Sequence, residues 1–202
     1  MFTAAISRTT IITALSAATL FFSAINFAQA SDYKLDETHS FVQFRTQHLG
    51  YSWLYGRFNI ISGKFNYDPA KPEASRINVN VDVTSLDSNH ELRDEHLRNK
   101  YLFTDKQPKA SFTSTAYRGD ANSGEMTGEL QLNGVKKIVT IPVKKIGEGA
   151  DPWGGYRVGF EGALTIDARD YGYTYQLGDK SFVVELQLGI EGVQTAPTRN
   201  KT

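Results

Sequence analysis

Between His39 and Tyr67 the chain alternates. Val42, Phe44, Thr46 and His48 fall on one side of an extended backbone, and Gln43, Arg45 and Gln47 fall on the other, the two-residue period of a half-buried strand. After the Gly50 to Gly56 break the run resumes, but its apolar parity slips between Phe58/Ile60 and Ile61/Phe65/Tyr67, with Gly63 in between. One extra residue produces such a slip, so the pattern predicts a bulge or sharp bend there. Asp32 to Asp36 reads as a short leading strand, and Pro69 and Pro72 stop the chain after Asp68.

Arg76 to Ser85 gives the clearest alternation. Ile77, Val79, Val81 and Val83 point inward, while Asn78, Asn80, Asp82 and Thr84 form an outer face suited to water. That face argues against an outer-membrane barrel, whose outward positions must be apolar. Asp87 to Leu102 breaks the two-residue period: Leu92, His96, Leu97 and Tyr101 recur at helical spacing, and Ser88 with Glu91 has the form of a capping box. From Lys109 strands return. Ala110, Phe112, Ser114 and Ala116 alternate, then Met126, Gly128, Leu130 and Leu132 lead into Asn133-Gly134, a strong hairpin signal before Val139, Ile141 and Val143. Pro142 directs its missing donor toward an unpaired side or an irregularity. Two further runs follow: Tyr156, Val158, Phe160, Gly162, Leu164 and Ile166, then Phe182, Val184, Leu186, Leu188 and Ile190.

About eight strands joined by short turns, with no long helical crossover, require antiparallel neighbours in a sandwich or barrel. The expected fold is all-β, an antiparallel barrel of about eight strands with one short flanking helix. A barrel of this size is either filled by side chains or holds one small ligand. Gly128 and Gly162, on inward faces, either leave room inside or relieve crowding at bends.

Composition narrows the picture. Formal net charge is zero, so no cationic field invites nucleic acid. The absence of cysteine removes disulfides, thiol-attached haem and cysteine-based zinc sites. Residues 1–30 carry Arg8, an apolar run from Ile11 to Ile25 and an Ala28-Gln29-Ala30 cleavage signature, which predicts a cleavable signal peptide and a periplasmic mature chain. Residues 31–193 then form the barrel domain and residues 194–202 a flexible polar tail.

Chemistry is sparsely advertised. His90 and His96 lie six apart on the expected helix, about 240° around its axis, so they cannot grip one metal from one face. Gly50-Tyr51-Ser52-Trp53-Leu54 lacks the second glycine of a nucleophile elbow, and no metal or cofactor is expected. The Tyr51, Trp53, Tyr55 and Phe58 cluster serves either as core or as the mouth of an apolar pocket, where Arg93, His96 and Arg98 would meet a polar head group.

Several ordered motifs carry a resemblance. His39-Ser40-Phe41-Val42-Gln43-Phe44, Gln47 to Gly56, Asn89-His90 with Arg93-Asp94 and His96-Leu97-Arg98, Pro108 to Phe112, Leu132 to Val135, and Asp151 to Gly155 with Gly159-Phe160-Glu161 resemble the YceI-like family across nearly the whole mature chain. The resemblance implies a lipocalin-like periplasmic barrel whose apolar cavity takes a polyisoprenoid or an isoprenoid quinone. Asn99-Lys100-Tyr101 after Arg98, and Asp167 to Tyr171, depart from the family's commoner forms. The expected walls are Val42, Phe44, Val79, Val81, Val83, Phe112, Leu130, Leu132, Val139, Ile141, Phe160, Leu164, Val184 and Leu186, with Trp53, Phe58, His48, His90, Arg93 and His96 toward the mouth. The expected partners are an isoprenoid lipid and a membrane touched transiently during loading, with monomer and homodimer both open. An enzyme using His48, His90 or His96 as acid or base, and a filled barrel acting as a stress-related interaction module, are the alternatives.

Overall fold

The computed structural model describes residues 30–195; the expected signal peptide, apart from Ala30, and residues 196–202 of the expected tail lie outside them. Eleven strand segments occupy eight positions around a closed antiparallel barrel. They are β1 (Ser31–Leu35), β2 (Phe41–His48), β3 (Ser52–Phe58), β4 (Ile61–Tyr67), β5 (Arg76–Asp82), β6 (Leu86–Asp87), β7 (Lys109–Gly119), β8 (Ser123–Leu132), β9 (Val135–Ala150), β10 (Tyr156–Asp167) and β11 (Val183–Gln194). β1 and β2 both pair with β11, β4 lies beside β1, and β3 lies beside β2. Each of β1/β2, β3/β4 and β5/β6 therefore acts as one long strand with a bend. The β1–β11 ladder closes the ring.

The parity slip after Phe58 marks one of these bends. Phe58 ends β3 against Val42, Asn59 and the exposed Ile60 intervene, and Ile61 begins β4 fully buried. The neighbours bend at the same level, through Asp36 to Ser40 on one side and a 3-10 turn at Val83–Ser85 on the other. One-residue slips in three adjacent strands let inward side chains stay inward while the sheet curls. β7 departs from the expected pattern. A register shift between Ser114 and Ala116 turns Ala116 off the inner face and places Tyr117 there.

The helix is shorter than expected. α1 (Glu91–His96) continues as a single π turn, Leu97–Tyr101. Its N-cap is His90, whose Nδ1 accepts from the Arg93 N–H at 3.2 Å; the Ser88/Glu91 capping box does not form. Ser88 instead donates through N–H and hydroxyl to the buried Asp94 carboxylate, and Arg93 donates to the Ser88 hydroxyl and carbonyl. This network ties the helix to the end of β6.

Pro142 lies where the wall changes character. β9 pairs with β10 from Ala150↔Tyr156 to Val143↔Gly162 and no further, so below Pro142 the two strands are hydrogen-bonded only to β8 and β11. The seam runs toward the helix end. The opposite end is sealed by ladders that persist through single-residue bulges at Ile146 and Thr115 and by a packed group of Tyr33, Phe65, Tyr67 and Val158. There Arg157 donates to Asp36 and Glu191, both at 2.6 Å, and to Asp151 at 3.0 Å. At the carboxyl end, β11 runs through Gln194, and Thr195 donates to the Asp32 carbonyl.

Candidate functional site: a lengthwise apolar cavity

Alternation fixes the character of the interior. Every second residue of each strand enters the barrel, and those residues are almost all aliphatic or aromatic. They enclose a cavity of about 320 Å³, at the lower end of the ~300–1,000 Å³ usual for small-ligand pockets. It runs from Tyr67, Tyr117, Met126 and Phe160 at the sealed end to Leu97, Tyr101, Tyr175 and Leu177 at the helix end.

Glycines keep the centre from filling. A Cβ on Gly56 would lie 2.3 Å from Cζ of Phe44, which sits opposite it on β2. A Cβ on Gly128 would lie 2.5 Å from Cζ of Phe112, and one on Gly192 would lie 2.4 Å from Cζ of Phe65. The Phe44 and Phe112 rings lie along the wall, each over a glycine of the neighbouring strand, instead of projecting across the lumen, and Phe65 reaches past β1 to Gly192 on β11. Gly128 is thus a seat for Phe112 and not vacant space in itself.

All the apolar wall positions expected from sequence line the cavity except Val139, as do Phe58 and, at the rim, His48. Val139 shares the inner face opposite Gly128. The other expected mouth residues do not line it. Trp53 is on the outer face beneath the Arg45 guanidinium, 4.3 Å from its ring centre; His90 caps α1; Arg93 is held by Ser88; and His96, half-buried, is not on the lining. The physical reason is parity: in β3, Leu54, Gly56 and Phe58 point inward, so Trp53 and Tyr55 must point out.

Tyr101, Tyr173 and Tyr175 also line the cavity, although the sequence pattern places Tyr101 only on the helix and gives Tyr173 and Tyr175 no role. Tyr175 stacks on Phe182 at 4.5 Å and meets Tyr101 edge-on at 5.7 Å, while its hydroxyl donates to the Ser181 carbonyl. Tyr171, Tyr173 and Tyr175 alternate, a signal present in the sequence but lying in a stretch with the look of a loop. Burial pushes the Tyr175 phenol up to about 12 and the Tyr173 phenol further in the same direction, so both are neutral at physiological pH. Tyr173 is buried on the cavity wall.

Charge is nearly absent from the lumen. Of the lining residues, Arg76 donates to the carbonyls of Glu73 and Ser75, and Glu161 is exposed and paired with Lys144. His48 is the one histidine on the lining, and no carboxylate among the described residues orients it. Outside the cavity, Asp36, His39 and Glu191 bring potential ligand atoms within 4.8 Å of one another. The Arg157 guanidinium bonds both carboxylates, supplying the positive charge a cation would bring. What the barrel is equipped to do is shelter an elongated, uncharged, apolar molecule.

A model of the YceI-like domain matches residues 33–192. The chain belongs to the YceI-like family. Curated relatives of this YceI-like chain include a UPF0312 protein of Pseudomonas aeruginosa, 49% identical over 170 residues that cover 83% of this chain and 89% of the relative. Protein YceI of Shigella flexneri is 49% identical over 183 residues, 89% of this chain and 95% of that one. Among solved structures, Burkholderia cenocepacia BcnA superposes with a TM-score of 0.70 at 24% identity, covering 78% of this chain and 98% of BcnA. A polyisoprenoid binding domain from Saccharophagus degradans superposes with a TM-score of 0.59 at 18% identity, covering 81% and 98%. The eight-position barrel with one short helix is the family's lipocalin-like fold.

Proposed function

We propose that this protein is a periplasmic carrier that holds a polyisoprenoid, or the tail of an isoprenoid quinone, inside its barrel. The observation that carries the reading is the lengthwise cavity, apolar along almost all of its wall, with the exposed Arg76 and Glu161 as its charged lining residues. The Saccharophagus degradans neighbour, described as polyisoprenoid-binding, supports the choice of ligand class. The Ala28-Gln29-Ala30 signature supports the compartment.

Energetics restrict what such a carrier does. At roughly 0.8 kcal/mol per buried CH₂, a chain of about forty carbons taken from water would gain about 30 kcal/mol, beyond the ~20 kcal/mol at which non-covalent affinity saturates. Water is the wrong reference. Taken from a bilayer the same chain gains almost no hydrophobic energy, so shape and the polar end decide loading, and exchange in both directions is feasible. The test is organic extraction of natively purified protein followed by mass spectrometry. Stoichiometric isoprenoid lipid is the expected result, and protein that folds but yields no lipid overturns the reading.

A further inference from the structure

The two ends of the barrel are unlike. The Tyr33/Phe65/Tyr67/Val158 end is packed, and its β9–β10 pairing persists through a bulge at Ile146, whereas the helix end has the β9–β10 seam and a rim in which His48 is exposed and Leu54, Tyr101 and Leu177 are half-exposed. Backbone unpaired on one side opens at lower free energy than a closed ladder, so a water-insoluble guest enters at the helix end.

The outside of this same end is unusual for a water-facing sheet. Tyr51, Trp53 and Tyr55 point outward and are 86%, 42% and 60% exposed; Leu49, at the hairpin tip, is 48% exposed. Their strand continues directly into the rim through Leu54 on its inner face. Arg45 lies over Trp53 and is neutralised by Glu185 at 2.6 Å. The Arg45 and Glu185 charges cancel within the patch, which is aromatic and amphipathic and so matched to neutral head groups. Tyr and Trp are the side chains that concentrate at membrane–water boundaries, ring in the apolar layer and polar atom in the wet one.

We propose that the outer face of the β2–β3 hairpin, with Tyr51, Trp53 and Tyr55, docks the helix end of the barrel onto a zwitterionic bilayer surface, placing the cavity rim against the lipid. The proposal rests on the carrier reading, since a barrel with no lipid guest has no need of the contact. It commits to a lipid surface because the guest resides in one and the rim and aromatic patch share a hairpin.

The chain carries its own reporters. It has two tryptophans: Trp53 on the patch, and Trp153, 78% exposed, in the β9–β10 turn at the sealed end. The experiment adds phosphatidylcholine vesicles containing bromine-labelled lipid to the full mature chain as W153F, which reports from Trp53, and as W53F, which reports from Trp153. Blue-shifted, bromine-quenched emission from Trp53 with Trp153 unchanged is the expected result, at low and high salt alike. A response from Trp153 alone, equal responses from both, or none from either overturns the proposal. Y51S, at a side chain that makes no packing contact worth keeping, is the folding-neutral variant. It should retain native lipid yet transfer it to vesicles roughly tenfold more slowly, equivalent to about 1.4 kcal/mol of docking energy. Unchanged transfer by Y51S also counts against docking. Absence of lipid from wild-type protein is a separate readout and refutes the carrier, whatever the tryptophans do.

Discussion

Gly56→Ala probes the vacancy at the centre of the barrel with a single methyl group. The new Cβ would lie 2.3 Å from Cζ and 2.7 Å from Cε1 of Phe44, where carbon atoms rest about 3.5–4.0 Å apart. The ring must therefore shift by roughly 1.2–1.7 Å to restore contact. Strand β3 backs it, so the open direction is the lumen. Overpacking of a filled core costs about 1–3 kcal/mol; with empty space to receive the ring, the cost falls at the lower end, a Tm decrease of about 2–4 °C for a domain of this size. Replacing glycine within a strand is itself favourable by about 0.5–1 kcal/mol, so in a Phe44→Ala background the same substitution should be neutral or stabilising. The assay is a double-mutant cycle by urea unfolding, with lipid measured by extraction from each variant. A cost above about 3 kcal/mol for G56A, lipid content unaltered and no sign change in the F44A background would refute a vacant lumen beside Phe44.

Other outcomes follow from the same geometry. Leu186→Trp, in the middle of the wall between Phe44 and Leu164, should occupy the cavity at a cost under about 1.5 kcal/mol and abolish lipid recovery; unfolding instead of loss of lipid would show the space is already taken. His90→Ala removes the cap from α1 and should cost about 1 kcal/mol, with His90→Asn restoring it, and with lipid content unchanged because the ring is off the cavity wall; thermal denaturation and extraction check both. Asp94→Ala strands the Ser88 N–H and hydroxyl and should cost about 1–3 kcal/mol, seen in urea unfolding. Asp36 is held well below the usual carboxylate range by hydrogen bonds from Thr38 and Arg157. A depressed folded value stabilises above the unfolded value of 3.8 and loses that stabilisation as pH falls through the folded range. Asp36→Asn should therefore flatten the acid limb of stability against pH by the share of one proton, and an unchanged limb would exclude this carboxylate from the acid response.

How much of the site was legible follows from how far each signal reaches. Val79, Val81, Leu130 and Leu164 announce their face by alternating with polar neighbours, and a period of two is set by the backbone of the strand itself. Trp53 was misread as a mouth residue because the parity of β3 is fixed by Leu54, Gly56 and Phe58, and the glycine hides one of its three inward positions. His90 displaced Ser88 as helix cap because Asp94, six residues away, claims Ser88 once the helix packs on β6. Tyr173 and Tyr175 went unseen because they line the cavity from outside any strand, in a segment whose shape is set by contacts with Phe182 and Tyr101.

Local chemistry along the chain thus determined the class of fold, the inward and outward faces, the hairpin at Asn133-Gly134 and the weak point at Pro142, since each depends on neighbouring residues and on which backbone groups can pair. Whether the barrel closes, where its three long strands bend in concert, and whether its middle stays empty were decided only by the assembled sheet. Those outcomes depend on ladders between segments as distant as β1 and β11, and on whether a phenyl ring finds a glycine on the adjacent strand to lie against.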